Sequence, residues 1–152
     1  MKVAKPVVAA ALLLAASLPA LAAEHATKDE AVAMVNKAVA YLQKEGPDKA
    51  YAAFDAKGGE FTDRDLYILV YSTKGIVLAH GANAKLIGKD MNDAQDVDGK
   101  YYVKDRLALA AKDKTFWQDY KFSDPLTKRI EPKEAYCEVV GDAIVCSGIY
   151  KQ

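Results

Sequence analysis

The stretch Tyr136-Cys137-Glu138-Val139-Val140-Gly141-Asp142-Ala143-Ile144-Val145-Cys146-Ser147 decides the fold. Two β-prone runs flank Gly141-Asp142, a two-residue loop with glycine first, which is the chemistry of a tight hairpin. Counting outward from that loop pairs Val140 with Ala143, Val139 with Ile144, Glu138 with Val145 and Cys137 with Cys146. Antiparallel pairs alternate between hydrogen-bonded and non-hydrogen-bonded, beginning hydrogen-bonded beside the loop, so the cysteines fall on a non-hydrogen-bonded pair. Cα atoms there approach to about 4.5–5.5 Å, the low end of what a disulfide accepts. The sequence therefore predicts an antiparallel sheet with a Cys137–Cys146 staple. A redox-active pair would more typically be Cys-x-x-Cys at a helix start, and haem attachment needs Cys-x-x-Cys-His. A metal site would want more ligands than His25 and His80 supply. The staple closes a loop of about 10 residues, so it contributes at most about 2.7 kcal/mol.

Upstream, Leu66-Tyr-Ile-Leu-Val-Tyr71 is β-prone throughout, with Tyr67, Leu69 and Tyr71 on one face and Leu66, Ile68 and Val70 on the other. Ser72 to Gly75 reads as a turn and Ile76 to His80 as the return strand. Further upstream, Thr27-Lys-Asp-Glu30 is a capping box. Ala31, Met34, Val35, Ala38, Val39 and Leu42 follow it as one apolar helical stripe. Gly46-Pro47 stops that helix, and a shorter one runs from Asp48 to Ala56 with Tyr51 and Phe54 inward. Asp63 and Asp65 read as the polar loop before a strand. Gly81 to Asp98 is expected to be polar loop with a short helix near Lys85. Tyr101 to Lys104 reads as extended, Asp105 as the cap of a helix running to about Asp113, and Phe116 to Phe122 as a strand. Pro125 and Pro132 bracket the connection into the hairpin, whose last strand ends near Tyr150. The order predicts an α+β protein: a central antiparallel sheet with a long N-terminal helix packed against it.

The first residues carry an export signal. Lys2 and Lys5 precede an apolar run from Val7 to Leu18, and Ala20-Leu21-Ala22 supplies the small-x-small pattern of a cleavage site after Ala22. An uncleaved anchor is the alternative, since the run is only marginally long enough to span hydrocarbon. The expected organisation is a leader at 1–22 and one domain at 24–152, secreted or periplasmic, with no membrane insertion of the mature chain. The chain has 21 basic and 21 acidic residues. Losing Lys2 and Lys5 leaves 19 against 21, a net charge of −2. That balance, without a basic cluster, argues against nucleic acid and against a polybasic membrane contact. Asp90, Asp93, Asp96 and Asp98 cluster in one loop. An EF-hand placed with Gly99 at its sixth position starts at Ala94, so its first ligand is missing and the loop reads as solvated acid. No metal and no cofactor is expected.

Several fragments occur in a telling order: Phe61-Thr-Asp-Arg-Asp-Leu-Tyr-Ile-Leu-Val70, Gly75-Ile-Val-Leu-Ala-His-Gly81, Leu86-Ile-Gly-Lys89 and Trp117-Gln-Asp-Tyr120. Asp124-Pro-Leu-Thr-Lys128, Lys133-Glu-Ala-Tyr136 and Ser147-Gly-Ile-Tyr150 complete the series. The set resembles a single Cache domain, the PAS-like extracytoplasmic sensor module of bacterial receptors. The resemblance implies a long helix beside a PAS-like antiparallel sheet and a pocket on one sheet face for a small metabolite, often an organic acid. Such modules are commonly followed by a transmembrane helix and a signalling module, whereas this chain stops at Gln152. The expectation is a sensor that hands its signal to a separate membrane receptor or kinase. Such modules also often pair through their N-terminal helices, which makes a homodimer conceivable.

A small-molecule site needs an apolar wall and a few orienting polar groups. Tyr67, His80, Tyr102, Trp117, Tyr120, Lys133 and Tyr136 are the candidates, with core packing the alternative for Tyr67 and Trp117 and a structural role the alternative for His80. Trp117 and Tyr120 would face opposite ways in a regular strand, so both reach one pocket only across a bulge. Lys104 and Arg106 read as solvated, though either could serve a carboxylate. Lys133 points to an anionic ligand through a charge-assisted hydrogen bond. An enzyme is the main rival. The chain has no Gly-x-Ser-x-Gly elbow, no His-Glu-x-x-His and no phosphate loop, and its histidines are too few for a general-base network. A third reading is an accessory subunit of a membrane receptor or transporter, for which a large exposed apolar patch would speak.

Overall fold

A computed structural model describes residues 24–151. The expected leader at 1–22 lies outside them. Helix α1 (Lys28–Glu45) starts at the capping box: Thr27 accepts from the Glu30 amide, and Glu30 Oε2 accepts from the Thr27 amide at 2.7 Å. It buries Ala31, Val35, Ala38, Val39 and Leu42, the stripe that its spacing demands. Helix α2 (Pro47–Asp55) opens on proline at its first position, where a missing N–H costs nothing.

The long strand expected from Leu66 is in two pieces. Strand β1 (Thr62–Asp63) pairs with β2 (Leu66–Tyr67), while β3 (Leu69–Ser72) belongs to the main sheet with β4 (Val77–His80). The side chains nonetheless keep the expected alternation through Ile68. A 3₁₀ turn (Ala84–Leu86) stands where a short helix near Lys85 was expected. Helix α3 spans Tyr102–Ala110, so Tyr101 to Lys104 is mostly helix rather than extended, and Asp105 sits in the first turn rather than capping it. Strands β5 (Thr115–Ser123), β6 (Ile130–Val140) and β7 (Ala143–Tyr150) follow.

The main sheet has the order β4-β3-β7-β6-β5 and is antiparallel throughout. The β6–β7 register is the one counted from Gly141-Asp142, with Cys137 opposite Cys146. Their Cα atoms are 4.1 Å apart and the disulfide is formed.

Period 2 sends alternate residues of each strand to opposite faces, and the faces differ. Helices α1 and α2 cover one, where Val35, Leu42, Phe54, Phe61, Ile68, Val70 and Val145 form an apolar core. Phe54 and Phe61 meet edge to face at 4.7 Å, an arrangement their ring quadrupoles favour. Helix α3 and the segment 81–101 cover the other face. There the buried set is rich in aromatic rings, Tyr67, Tyr71, Tyr102, Phe116, Tyr120 and Tyr150, packed with Leu69, Val77, Val103 and Ile144 and with the disulfide beneath.

Candidate functional site

The register across the second face sets out a site in rows. Tyr120, Lys133 and Tyr150 are successive partners across β5, β6 and β7. Gln118, Ala135 and Gly148 form the adjacent row. Ala135 and Gly148 make a low floor. A Cβ on Gly148 would come within 2.6 Å of the Glu134 carbonyl oxygen, so no side chain is tolerated there. Over this floor α3 places Arg106, one helical turn after Tyr102.

Two cations are thereby buried. Arg106 is 0 % and Lys133 1 % exposed. Arg106 Nε donates to Gln118 Oε1 at 2.9 Å, and the Gln118 amide donates to the Tyr102 carbonyl. The guanidinium carbon lies 4.8 Å from the centroid of the Tyr71 ring and 5.1 Å from that of Tyr120. Neither terminal nitrogen of Arg106, both buried, meets an acceptor in good hydrogen-bond geometry; the Tyr120 hydroxyl is the polar group that comes nearest to serving as one. Lys133 Nζ donates to Tyr67 Oη at 2.7 Å and lies 3.9 Å from the Tyr67 ring centroid. Tyr150 Oη donates to the Ser123 carbonyl at 2.7 Å and is 3.2 Å from Tyr67 Oη. Each hydroxyl has one proton, so the chain runs Lys133 to Tyr67 to Tyr150 to Ser123. Among the described residues neither cation forms an ion pair.

The electrostatics follow from that arrangement. Burial, and after it the charge of Arg106, holds the Lys133 amine well below its ordinary titration range, although Asp65 and Asp124 oppose the shift. Burial, then the charges of Lys133 and Arg106, pushes His80 down to about 3. His80 is therefore neutral. Its Nδ1 accepts from the Asn83 amide at 3.1 Å, and its ring stacks on Tyr67 with centroids 5.2 Å apart.

The structure gathers Tyr67, His80, Tyr102, Tyr120 and Lys133 from the candidates and leaves out two. Strand β5 pairs without a bulge, so Trp117 and Tyr120 do face opposite ways. Trp117 packs on Tyr136 with centroids 5.3 Å apart, on the helix-covered face beneath Lys28. Tyr136 stands three residues from Lys133, and that odd spacing puts it on the other face for the same reason. Arg106 corrects the sequence expectation more sharply: it is enclosed, whereas its neighbour Lys104 is solvated and paired with Asp93 at 2.7 Å. With α3 starting at Tyr102, Arg106 falls on the stripe of Tyr102 and Val103, a signal that the misplaced helix start concealed. Gln118, Tyr71 and Tyr150 were also missed.

Asp65 corrects the reading of a simple polar loop. It is fully buried and accepts from the Ala26 amide at 2.7 Å and the Tyr150 amide at 3.2 Å, tying the start of α1 to the end of β7. Asp124 accepts from His25 Nε2 at 2.8 Å and from the Leu126 amide at 2.7 Å. The acidic loop is likewise more than solvated surface. Asp96 accepts from the amides of Asp98, Lys100 and Lys121, which fastens the loop to the edge of β5. No group of residues suited to a metal ion occurs among the described residues. A cleft of about 250 Å³ runs between this loop and the sheet; Tyr120 and Lys133 stand on its wall beside Asp96, Asp98 and Asp119 and the lysines Lys100 and Lys121, while Arg106 lies behind it.

Residues 19–150 match the family model described as single Cache domain 2. The chain belongs to that family. Its fold also agrees with solved Cache and chemoreceptor domains. A methyl-accepting chemotaxis protein from Vibrio parahaemolyticus RIMD 2210633 superposes with a TM-score of 0.70 at 20% identity, covering 81% of this chain and 87% of that one. A Cache chemosensory domain whose structure concerns carboxylic acid recognition gives 0.70 at 19% identity, covering 82% and 92%. The periplasmic sensor domain of a chemotaxis protein gives 0.65 at 20% identity, covering 82% and 90%. No curated protein matches the chain. At these identities the likeness to solved structures concerns the fold, and the buried cations of this Cache domain are read from its own geometry. No helix among its described residues is long and apolar enough to cross a membrane.

Proposed function

We propose that this Cache domain is an extracytoplasmic sensor whose ligand is a small carboxylate held between Arg106 and Lys133. The observation that carries the reading is the pair of buried cations without a carboxylate partner, one with both terminal nitrogens lacking an acceptor in good hydrogen-bond geometry. Burying unpaired charge costs several kcal/mol per ion, and a fold keeps such groups where something else compensates them. A carboxylate does so: its oxygens can accept a two-pronged bond from the guanidinium and a third from the ammonium. The ring walls of Tyr71, Tyr102 and Tyr120 and the low floor of Ala135 and Gly148 suit a short hydrocarbon tail rather than a long one. Ligand would enter from the cleft beside Lys133.

The titratable groups in the site do not support an enzyme. His80 is neutral and engaged, and the buried carboxylates are consumed by backbone amides. Signal would pass to a separate membrane receptor or kinase, with the leader at 1–22 delivering the domain outside the cytoplasm. A thermal-shift panel of small carboxylates, amino acids and amines tests the reading. A carboxylate at 100 times its dissociation constant should stabilise the fold by about 2.7 kcal/mol, and Arg106→Met should abolish the shift. A panel in which amines stabilise and carboxylates do not would refute it.

A further inference from the structure

Arg106 and Lys133 raise a question beyond ligand identity: how does the fold tolerate both before an anion arrives? Lys133 Nζ is surrounded on every side. Strand β2 presents Tyr67, β7 presents Tyr150, β5 presents Tyr120 and Phe122, β4 presents His80, and α3 presents Arg106. None of these is an anion. Asp65 and Asp124 are nearby carboxylates, and Asp96, Asp98 and Asp119 line the cleft that Lys133 borders; all are already bonded elsewhere, Asp65 to the Ala26 and Tyr150 amides, Asp124 to His25 and the Leu126 amide, Asp96 to three backbone amides, Asp98 to Lys121 and Asp119 to Lys151. Of two like charges in one enclosed site, one is relieved most cheaply by giving up its proton. Arginine does not deprotonate in proteins, so the group that gives way is the lysine. Its hydrogen bond to Tyr67 survives, because a neutral amine still has N–H to donate.

We propose that the domain takes up its carboxylate together with a proton, which lands on Lys133. This rests on the carboxylate reading above. The amine accepts a proton from solvent buffer as the anion enters, so a neutral amine and one unpaired cation become two cations sharing one anion. The net charge added to the buried site is zero, one negative from the ligand and one positive from the proton. That balance is why a buried site can bind an ion at all. The depressed titration of Lys133 in the free domain agrees with this picture.

The sign follows from linkage. Lys133 titrates low in the free domain and higher beside the bound anion. Affinity is therefore full at pH below the free-domain titration of Lys133 and falls above it, by up to tenfold per pH unit. The response is to acid and carboxylate jointly, so at constant carboxylate concentration an acid shift raises occupancy.

The test is calorimetry with acetate, propionate and pyruvate as probes, none of which titrates between pH 6 and 9. Each is run in phosphate and in Tris, whose ionisation enthalpies differ widely. Wild-type protein should show a buffer-dependent enthalpy corresponding to uptake of close to one proton per ligand at the alkaline end, with a matching loss of affinity. Lys133→Arg keeps the positive charge and cannot release it, so it should bind with no buffer dependence and a flat pH profile. The paired His25 and Asp124 are intact in that variant, so any contribution from them remains visible in it. Binding by wild type with equal enthalpies in both buffers overturns the proposal and leaves the carboxylate site standing. The same pH slope in Lys133→Arg also overturns it. Failure of wild type to bind any probe at any pH removes both readings.

Discussion

The two faces of the central sheet are made by the same strands and have opposite characters. Val70 and Val145 point to α1 and α2 and meet only hydrocarbon. Tyr71 and Ile144, their immediate neighbours, point the other way into the aromatic cluster, where Tyr71 meets the Arg106 guanidinium. One face stabilises the fold. The other buries Arg106, a cation without a carboxylate partner, beside Lys133, whose amine burial holds well below its ordinary titration range. Strand alternation lets evolution change one face without touching the other.

The comparison breaks most easily on the helix side. Phe54→Ala removes a fully buried ring that packs on Phe61, and should destabilise the domain by about 3–5 kcal/mol, read as a lowered denaturant midpoint with unchanged slope. Asp65→Ala strands the Ala26 and Tyr150 amides and should cost about 2–4 kcal/mol, with faster hydrogen exchange at both. On the aromatic face the sign reverses. Arg106→Met replaces an unpaired buried charge with a side chain of similar length, and should leave apo stability unchanged or raise it by about 1–2 kcal/mol while ligand binding is lost. A smaller effect separates the faces by pH. His80 is held neutral when folded but protonates below about 6.5 when unfolded. Stability from this group is therefore full above that pH and declines as pH falls toward about 3, and His80→Gln should flatten that limb of a melting curve. Smallest is Thr27→Ala at the α1 cap, about 1 kcal/mol.

The helix face was legible in the sequence almost residue by residue, and the aromatic face only in part. Aliphatic stripes at helical spacing, a capping box and a glycine-first hairpin loop are local signals, and each had one physical meaning. The cysteine register followed from counting along a ladder. A site assembled from seven elements has no such local signature. Lys133 and Tyr136 share the fragment Lys133-Glu-Ala-Tyr136 that carries the Cache resemblance, yet their odd spacing in a strand separates them. Trp117 and Tyr120 carried the same parity, which was recognised. Arg106 was hidden because a charged residue in a charged helix ordinarily points to water, and because the expected cap, Asp105, lies four residues after the actual one, Tyr101. Asp65 was hidden for a similar reason: its partners are backbone amides far along the chain, and nothing beside it shows them.

The most direct test of the account is a pair of binding isotherms, wild type and Arg106→Met, against the same small carboxylate, with the apo melting temperature of each recorded. Wild type should bind, Arg106→Met should lose at least a hundredfold in affinity, and its apo melting temperature should be equal or higher. If Arg106→Met binds as wild type does, or if its apo fold melts as far below wild type as a core truncation, then Arg106 is a structural residue and the second face is a core rather than a receptor site.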